Sequence, residues 1–284
     1  MIARSRRRPV AVLGVALSLL GAHARAAGLP SWRSLAQLAP GANPLAVRLA
    51  LDALQCAAGH GVASVERLAV IDFSQPSTRR RLWIFDLHEP RLLMHELVAH
   101  GRNSGGDLAT RFSNSAGSLE SSLGLYRTLG TYQGDKGYSL RLQGLDPGFN
   151  DHALRRAIVI HGARYVSRQF AKREGRIGRS WGCPAVSIRV ARRVIDSLKD
   201  GQMVFAYYPD PHWLEHSQLL NCPAVRADVA RLVAAQTSPA IAHLAKRRRQ
   251  ILLRGRDRVV TPEPPAGASP ATRRIIRSRI HHKP

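Results

Sequence analysis

A mainly β fold with a few helices is what the sequence predicts, on three observations. Between residues 67 and 162, six runs rich in Leu, Val, Ile, Phe, Tyr and Trp are separated by Pro, Gly, Asn and Asp. Strong helical spacing with matching start and stop residues occurs in two places, one before these runs and one after them. Strands and helices do not alternate, so a βαβ repeat with a parallel sheet is excluded.

The elements follow in order. "MIARSRRRPV" carries Arg4, Arg6, Arg7 and Arg8, the apolar run "VAVLGVALSLLGA" comes next, and Ala24 and Ala26 supply an A-x-A site. A charged segment, an apolar segment and small residues at the end predict a secretory signal peptide over residues 1–26, cleaved after Ala26. The apolar run is short for a membrane anchor, which needs about 20 residues. No lipoprotein cysteine follows it. "NPLAVRLALDALQCAAGHG" then predicts a helix. Asn43 is its N-cap, Pro44 its first residue, Leu45, Leu49, Leu51, Ala53, Leu54 and Ala57 its apolar face, and Gly59 and Gly61 its stop.

Strand signals follow in "RLAVIDFS", "RLWIFDL", "RLLMHELVAHG", "SSLGLYRTL", "YSLRLQGL" and "RAIVIHG", with "DLHEPRLL" as a tight turn between two of them. A second helix is expected from Ser187 to about Lys199, with Ile188, Val190, Val194, Ile195 and Leu198 apolar and Gly201 as its stop; "QMVFAYYPD" reads as a last strand. From residue 223 to 284 the composition turns basic and Pro-containing. A short helical stretch, "RADVARLVAAQ", leads into "AKRRRQILLRGRDR", "TPEPPAGASP" and "RRIIRSRIHHKP". This segment is expected to be a flexible tail. The chain therefore divides into a leader (1–26), one domain (27–222) and a tail (223–284).

The formal net charge is +24, and although Arg4, Arg6, Arg7, Arg8 and Arg25 fall in the leader, the remainder stays strongly basic. In a cytosolic chain such charge points to nucleic acid. Outside the cytoplasm the polyanions are the cell wall and the membrane surface, so export predicts loose association of the tail with an anionic envelope surface and no nucleic-acid partner.

Cys56, Cys183 and Cys222 are an odd number of cysteines for an oxidising compartment, so one is left over even if two pair. Cys183 sits in chemically loaded surroundings, "GRSWGCPAV". Cys56 and Cys222 do not, and they either bridge the N-terminal helix to the end of the domain or both remain buried thiols.

"RAIVIHGARYVS" ends an apolar strand at His161, followed by Gly162, and Cys183 comes twenty-two residues later. A thiol of ordinary pKa, about 8.5, needs a base or a depressed pKa to act as a nucleophile at neutral pH. A histidine beside it supplies the first. The basic loop "KREGRIGR" (Lys172, Arg173, Arg176, Arg179) would favour the thiolate. Gly182 lets backbone N–H groups near Cys183 come close enough for an oxyanion hole. His100 in "VAHGRNSG" also ends a strand before a glycine and is a rival base. Together with Asn103 and Ser104 it is read either as site-lining or as part of a turn.

These residues carry a resemblance. H-G, a gap of this order and S-x-G-C resemble the signature of YkuD-type murein L,D-transpeptidases, in the branch called the murein L,D-transpeptidase catalytic domain family. "VIDFSQPSTRRRLWIFDL", "VAHGRNSG", "FSN", "SSLGLYRT", "GYSLRLQGL", "ND" and "RAIVIHGARYVS" resemble that branch in order, over about residues 45 to 222. The resemblance implies a mostly β sandwich or barrel as the catalytic domain. It places Cys183 on the nucleophile, His161 on the general base and acid, and Ser180 and Gly182 on the supporting motif. Gly162 matches the residue whose carbonyl orients the histidine.

It implies peptidoglycan stem peptides as partner and substrate, with no cofactor and no metal, and the signal peptide without a lipoprotein cysteine implies a periplasmic location. Tyr126 and Gly124 resemble the strand that floors the family's substrate groove, although ordinary β core is the plainer reading of Tyr126. Trp181 stands where many members have His, Arg or Lys. "PAV" replaces a hydrophobic–Arg pair, so Arg179 or Arg189 would have to hold the substrate carboxylate. L,D-carboxypeptidase or endopeptidase action on the same residues, and a non-catalytic wall-binding protein, are the alternatives.

Overall fold

The computed structural model describes residues 29–63, 65–223 and 225; the expected leader and almost all of the expected tail lie outside the described residues. The chain divides into two units after Tyr208. The second contributes one described helix, α5 (Pro211–His216), which opens on Pro211 with the Asp210 carboxylate accepting from Trp213 N.

The first unit opens with two helices, α1 (Trp32–Leu38) and α2 (Pro44–Gly59). α2 is the predicted one. Asn43 Oδ1 accepts from Leu45 N at 3.0 Å, and Val47, Leu49, Ala50, Ala53 and Leu54 form its buried stripe. Strands follow as β1 (Arg67–Asp72), β2 (Leu82–Asp86), β3 (Arg91–Glu96), β4 (Val98–Ala99), β5 (Gly124–Gly134), β6 (Gly137–Gly144), β7 (Val159–Ala163), β8 (Ala185–Ser187) and β9 (Met203–Tyr207). Between them lie α3 (Arg168–Glu174) and α4 (Ala191–Leu198).

The nine strands form one sheet in the order β3-β2-β1-β9-β5-β6-β7-β8-β4. Its two edges, β3 and β4, are the same piece of chain interrupted at Leu97. The sheet therefore curls until its ends nearly meet, which leaves little free edge. That is the mainly β sandwich or barrel architecture. It also explains why "RLLMHELVAHG" is not one strand, since the chain changes edge at Leu97. β1, β2 and β9 are buried along nearly their whole length because both faces are covered, with α2 and α4 packing on β1. Trp83, Phe85, Phe205 and Tyr207 fill the core.

Pairing is antiparallel except for β1 with β9 and β7 with β8. Three local expectations change. Arg156 and Ala157 end a turn and Ile158 leads into β7, so these three are not strand. Ser187 ends β8 and Ile188 is 57% exposed, so the second predicted helix starts at Ala191, with Val194, Ile195 and Leu198 inward. "KREGRIGR" is partly the end of α3, a helix with no buried residue and hence no apolar period to read.

Candidate active site

β7 and β8 run parallel with His161 opposite Ala185. Cys183 lies two residues before Ala185, in the bend that leads into β8, and the Lys136 charge acts on both Cys183 and His161.

The turn leading into Cys183 is braced from within. Ser180 Oγ donates to the Cys183 carbonyl at 2.6 Å and accepts from Gly182 N at 3.1 Å. Ser121 Oγ donates to the Gly182 carbonyl at 3.1 Å, and its own N–H donates to Ser104 Oγ at 2.9 Å. Gly182 adopts φ +118°, and a Cβ there would stand 2.7 Å from the Glu120 carbonyl oxygen. Only glycine fits both constraints. The Gly182 N–H and the Ser180 hydroxyl are thus engaged in holding the turn. Ser180 and Gly182 shape the loop that carries Cys183, and any oxyanion donors are other N–H groups near it.

Cys183 is the free cysteine, half-buried; Cys56 and Cys222 are disulfide-bonded. The Cys183 thiol points to the Ala157 carbonyl at 3.8 Å. Burial pushes the thiol above its ordinary value, against the Val159 N–H and the Arg156 and Lys136 charges, which favour the thiolate. The charges acting on the sulfur are therefore those of Arg156 and Lys136, in place of the expected basic loop 172–179. Tyr165 also stands close: its phenol is pushed up to about 12 by burial and by the Cys183 thiolate.

His161 is buried, and its Nδ1 faces the Gly162 carbonyl at 3.1 Å. A carbonyl only accepts, so Nδ1 carries the proton and Nε2 of the neutral ring is the basic nitrogen. Burial lowers the imidazole below the usual range, the Gly162 bond opposes this, and the Lys136 charge adds to it. Gly162 also lets α4 approach β7, since a Cβ there would meet Ala191 Cβ at 2.9 Å. Thiol and imidazole are both neutral at rest, so the arrangement suits proton transfer during attack and not a preformed ion pair.

Two features around Cys183 have no local sign in the sequence. Ala157, at φ +54°, is the left-handed end of a helical turn in which Ile158 N donates to Ala153 O and Ala157 N to Leu154 O. This is the Schellman pattern, which normally uses glycine. It turns the Ala157 carbonyl toward the sulfur. Arg156 donates to Ser113 O (2.7 Å), Ser122 Oγ (2.5 Å), Ser118 Oγ (3.1 Å) and Glu120 O (2.7 Å). It pins the 113–122 loop whose Glu120 carbonyl presses on Gly182. Its partners lie more than thirty residues upstream, and no short motif shows such a link.

The other candidate residues take different places. His100 is fully buried and its Nδ1 accepts from Arg81 at 2.7 Å; burial and that cation hold its pKa near about 3. It neither lines an open groove nor serves as a base. Tyr126 is buried, with its hydroxyl donating to Ser122 O at 2.9 Å, and is core. Arg179 spends its guanidinium on the carbonyls of Arg102 and Gly105. Asn103 donates to Ser118 O and Ser104 is buried, both in the turn they stabilise. Arg189 lies past the far end of β8. Trp181 is 69% exposed beside Cys183, with Lys136 Nζ 6.0 Å from its ring centre, and remains a surface a substrate can meet. No group of three metal-ligating side chains is present among the described residues.

No curated protein matches. Among solved structures, "L,D-transpeptidase from Mycobacterium smegmatis" is 13% identical over 51% of this chain and 60% of that one, with TM-score 0.33. An L,D-transpeptidase from Xylanimonas cellulosilytica is 15% identical over 51% and 62%, with TM-score 0.29. One from Stackebrandtia nassauensis is 14% identical over 62% and 88%, with TM-score 0.29. The chain thus spans less than two thirds of the first two. The model of the L,D-transpeptidase catalytic domain, YkuD_2, matches residues 38–207, more than half of the chain and every strand of the sheet. On that match, the chain belongs to the L,D-transpeptidase catalytic domain family.

Proposed function

We propose that this protein is an exported, cysteine-dependent L,D-transpeptidase that acts on peptidoglycan stem peptides. The observation that carries the reading is the free thiol of Cys183 at the entry to β8, the parallel neighbour of the strand that carries His161, whose Nδ1 is held by Gly162 so that Nε2 is free to take a proton. His161 Nε2 accepts the thiol proton as the sulfur attacks the carbonyl of the third, diamino acid residue of a tetrapeptide stem. The C–N bond to the terminal D-Ala breaks, and that amine leaves with the proton from His161. An amine of a neighbouring stem then attacks the thioester, His161 takes its proton, and the thiol is restored with a 3→3 cross-link formed. Arg156 and Lys136 offset the negative charge on sulfur while it is exposed. The leader expected from the sequence supports a periplasmic reaction.

The test is incubation of the mature protein with disaccharide-tetrapeptide, resolved by mass spectrometry. Cross-linked dimers and a thioacyl adduct on Cys183 are expected. Tripeptides alone assign the protein to L,D-carboxypeptidases, and unchanged substrate assigns it to wall binding. Cys183→Ala removes the adduct and the products. An amino terminus at Ala27 in the periplasmic fraction is the expected sign of export.

A further inference from the structure

A prominent groove lies away from Cys183. It is a groove of about 690 Å³ where the C-terminal ends of β7 and β8 meet, lined by Arg80, Arg164, Arg168, Arg189 and Arg193, with Glu96 as its one acid. Leu97 and Val166, both buried, also line it. Neither Cys183 nor His161 lines it, and Ser187 at its rim lies four positions on from Cys183, about 13 Å of extended chain at roughly 3.3 Å per residue. The groove is therefore distinct from the nucleophile.

The five arginines come from four places in the sequence: the segment before β2, the segment after β7, the first turn of α3, and the segment from the end of β8 into α4. All five side chains are exposed, and among the described residues none forms a hydrogen bond or an ion pair. Some arginines elsewhere on the same unit find acids: Arg67 and Arg91 reach Asp86, Arg111 reaches Glu120, and Arg173 reaches Glu174. Five like charges gathered around one concavity repel one another, and a bound anion offsets that beyond the screening of solvent. The groove's size lies within the range of small-molecule sites, about 300–1,000 Å³.

We infer that this groove is a binding site for a ligand carrying two phosphate groups. Five arginines against one glutamate leave an excess of four positive charges. Two phosphates of about −1.5 to −2 each match that excess, whereas four separate carboxylates would be needed to do the same. The planar guanidinium fork pairs two N–H groups with two phosphate oxygens. The phosphates belong either to a soluble molecule or to a lipid headgroup. The inference does not depend on the acyl-transfer reading.

The experiment is calorimetric titration of the full chain with inorganic pyrophosphate near physiological ionic strength. Two charge-matched double variants are compared: Arg168→Ser with Arg193→Ser in the groove, and Arg127→Ser with Arg141→Ser on exposed parts of β5 and β6. The basic tail is identical in all of them, so its contribution cancels. A Kd at least tenfold weaker in the groove variant alone, with unchanged Tm without ligand, is the expected result. A second groove pair, Arg164→Ser with Arg189→Ser, should repeat it. Equal Kd in wild type and all variants overturns the inference, because diffuse charge or the tail then does the binding. Citrate binding as tightly as pyrophosphate overturns the phosphate assignment. Co-sedimentation with phosphatidylcholine vesicles containing diacylglycerol pyrophosphate, whose headgroup carries two phosphates, separates the sources. Loss in the groove variants supports a headgroup, and retention alongside lost pyrophosphate binding supports a soluble ligand.

Discussion

Arg81 donates a 2.7 Å hydrogen bond to Nδ1 of His100, with both side chains fully buried. The cation is held by the Val98 and Gln75 carbonyls as well, and burial brings the guanidinium down to about 9. Because Arg81 can only donate, His100 must be neutral, with its proton on Nε2. The pair ties the segment before β2 to the end of β4, next to the chain that meets Ser180 through the Gly101 bridge.

Acid stability follows from this pair. The folded His100 takes a proton only near pH 3, against an ordinary value of 6.5. Between these the unfolded chain binds a proton that the folded chain does not, so stability present above pH 6.5 is lost as the pH falls toward 3. The slope from one such group is at most about 1.4 kcal/mol per pH unit. Thermal melts from pH 7 to 4 should show Tm falling, and His100→Gln, which retains an acceptor for Arg81, should flatten the decline.

Alkylation of Cys183 by iodoacetamide should report a neutral resting thiol. The rate should keep rising with pH past 9, since burial raises the thiol above that value. A plateau starting near pH 6 would contradict the neutral pair. Acylation by a carbapenem needs neutral His161, whose pKa is lowered from 6.5, so its acid limb should lie below pH 6.5.

Replacement of Arg156 by Gln removes a cation that favours the thiolate and loosens the 113–122 loop. The alkylation profile should move to higher pH, a change that loop disorder alone would not impose. Acylation should slow as well.

Ala157→Gly relieves a left-handed alanine, which costs about 1–2 kcal/mol. We expect Tm to rise while iodoacetamide reactivity stays the same, because the Schellman turn and its carbonyl are retained.

Gly182→Ala should have the opposite effect. Its Cβ meets the Glu120 carbonyl and its backbone is left-handed. A shift of the nucleophile by about 1 Å is enough for a roughly hundredfold loss in acylation rate, with the protein still folded by circular dichroism.

Much of the architecture was legible because strands with continuous apolar runs, such as "RLAVID" and "LWIFD", announce themselves by composition. The start of α2 was legible from Asn43 and Pro44. α3 was not, because it buries nothing, and β8 was not, because three residues are too few to show a period. His161 and Cys183 stood out by residue type and by the glycines beside them. His100 drew attention for the same reason, yet its neighbour Arg81, nineteen residues away, makes it a buried acceptor.

What the sequence determined by itself is therefore the chemistry available: one unmatched thiol, a histidine at a strand end, and the glycines and serine that a tight turn before the thiol requires. Residue type and short-range spacing are local properties. The protonation states, the source of the charge near sulfur and the gathering of five arginines at the ends of β7 and β8 were decided only by the tertiary structure. Burial and Coulomb interaction depend on distance in space, and the folded sheet brings together segments dozens of residues apart.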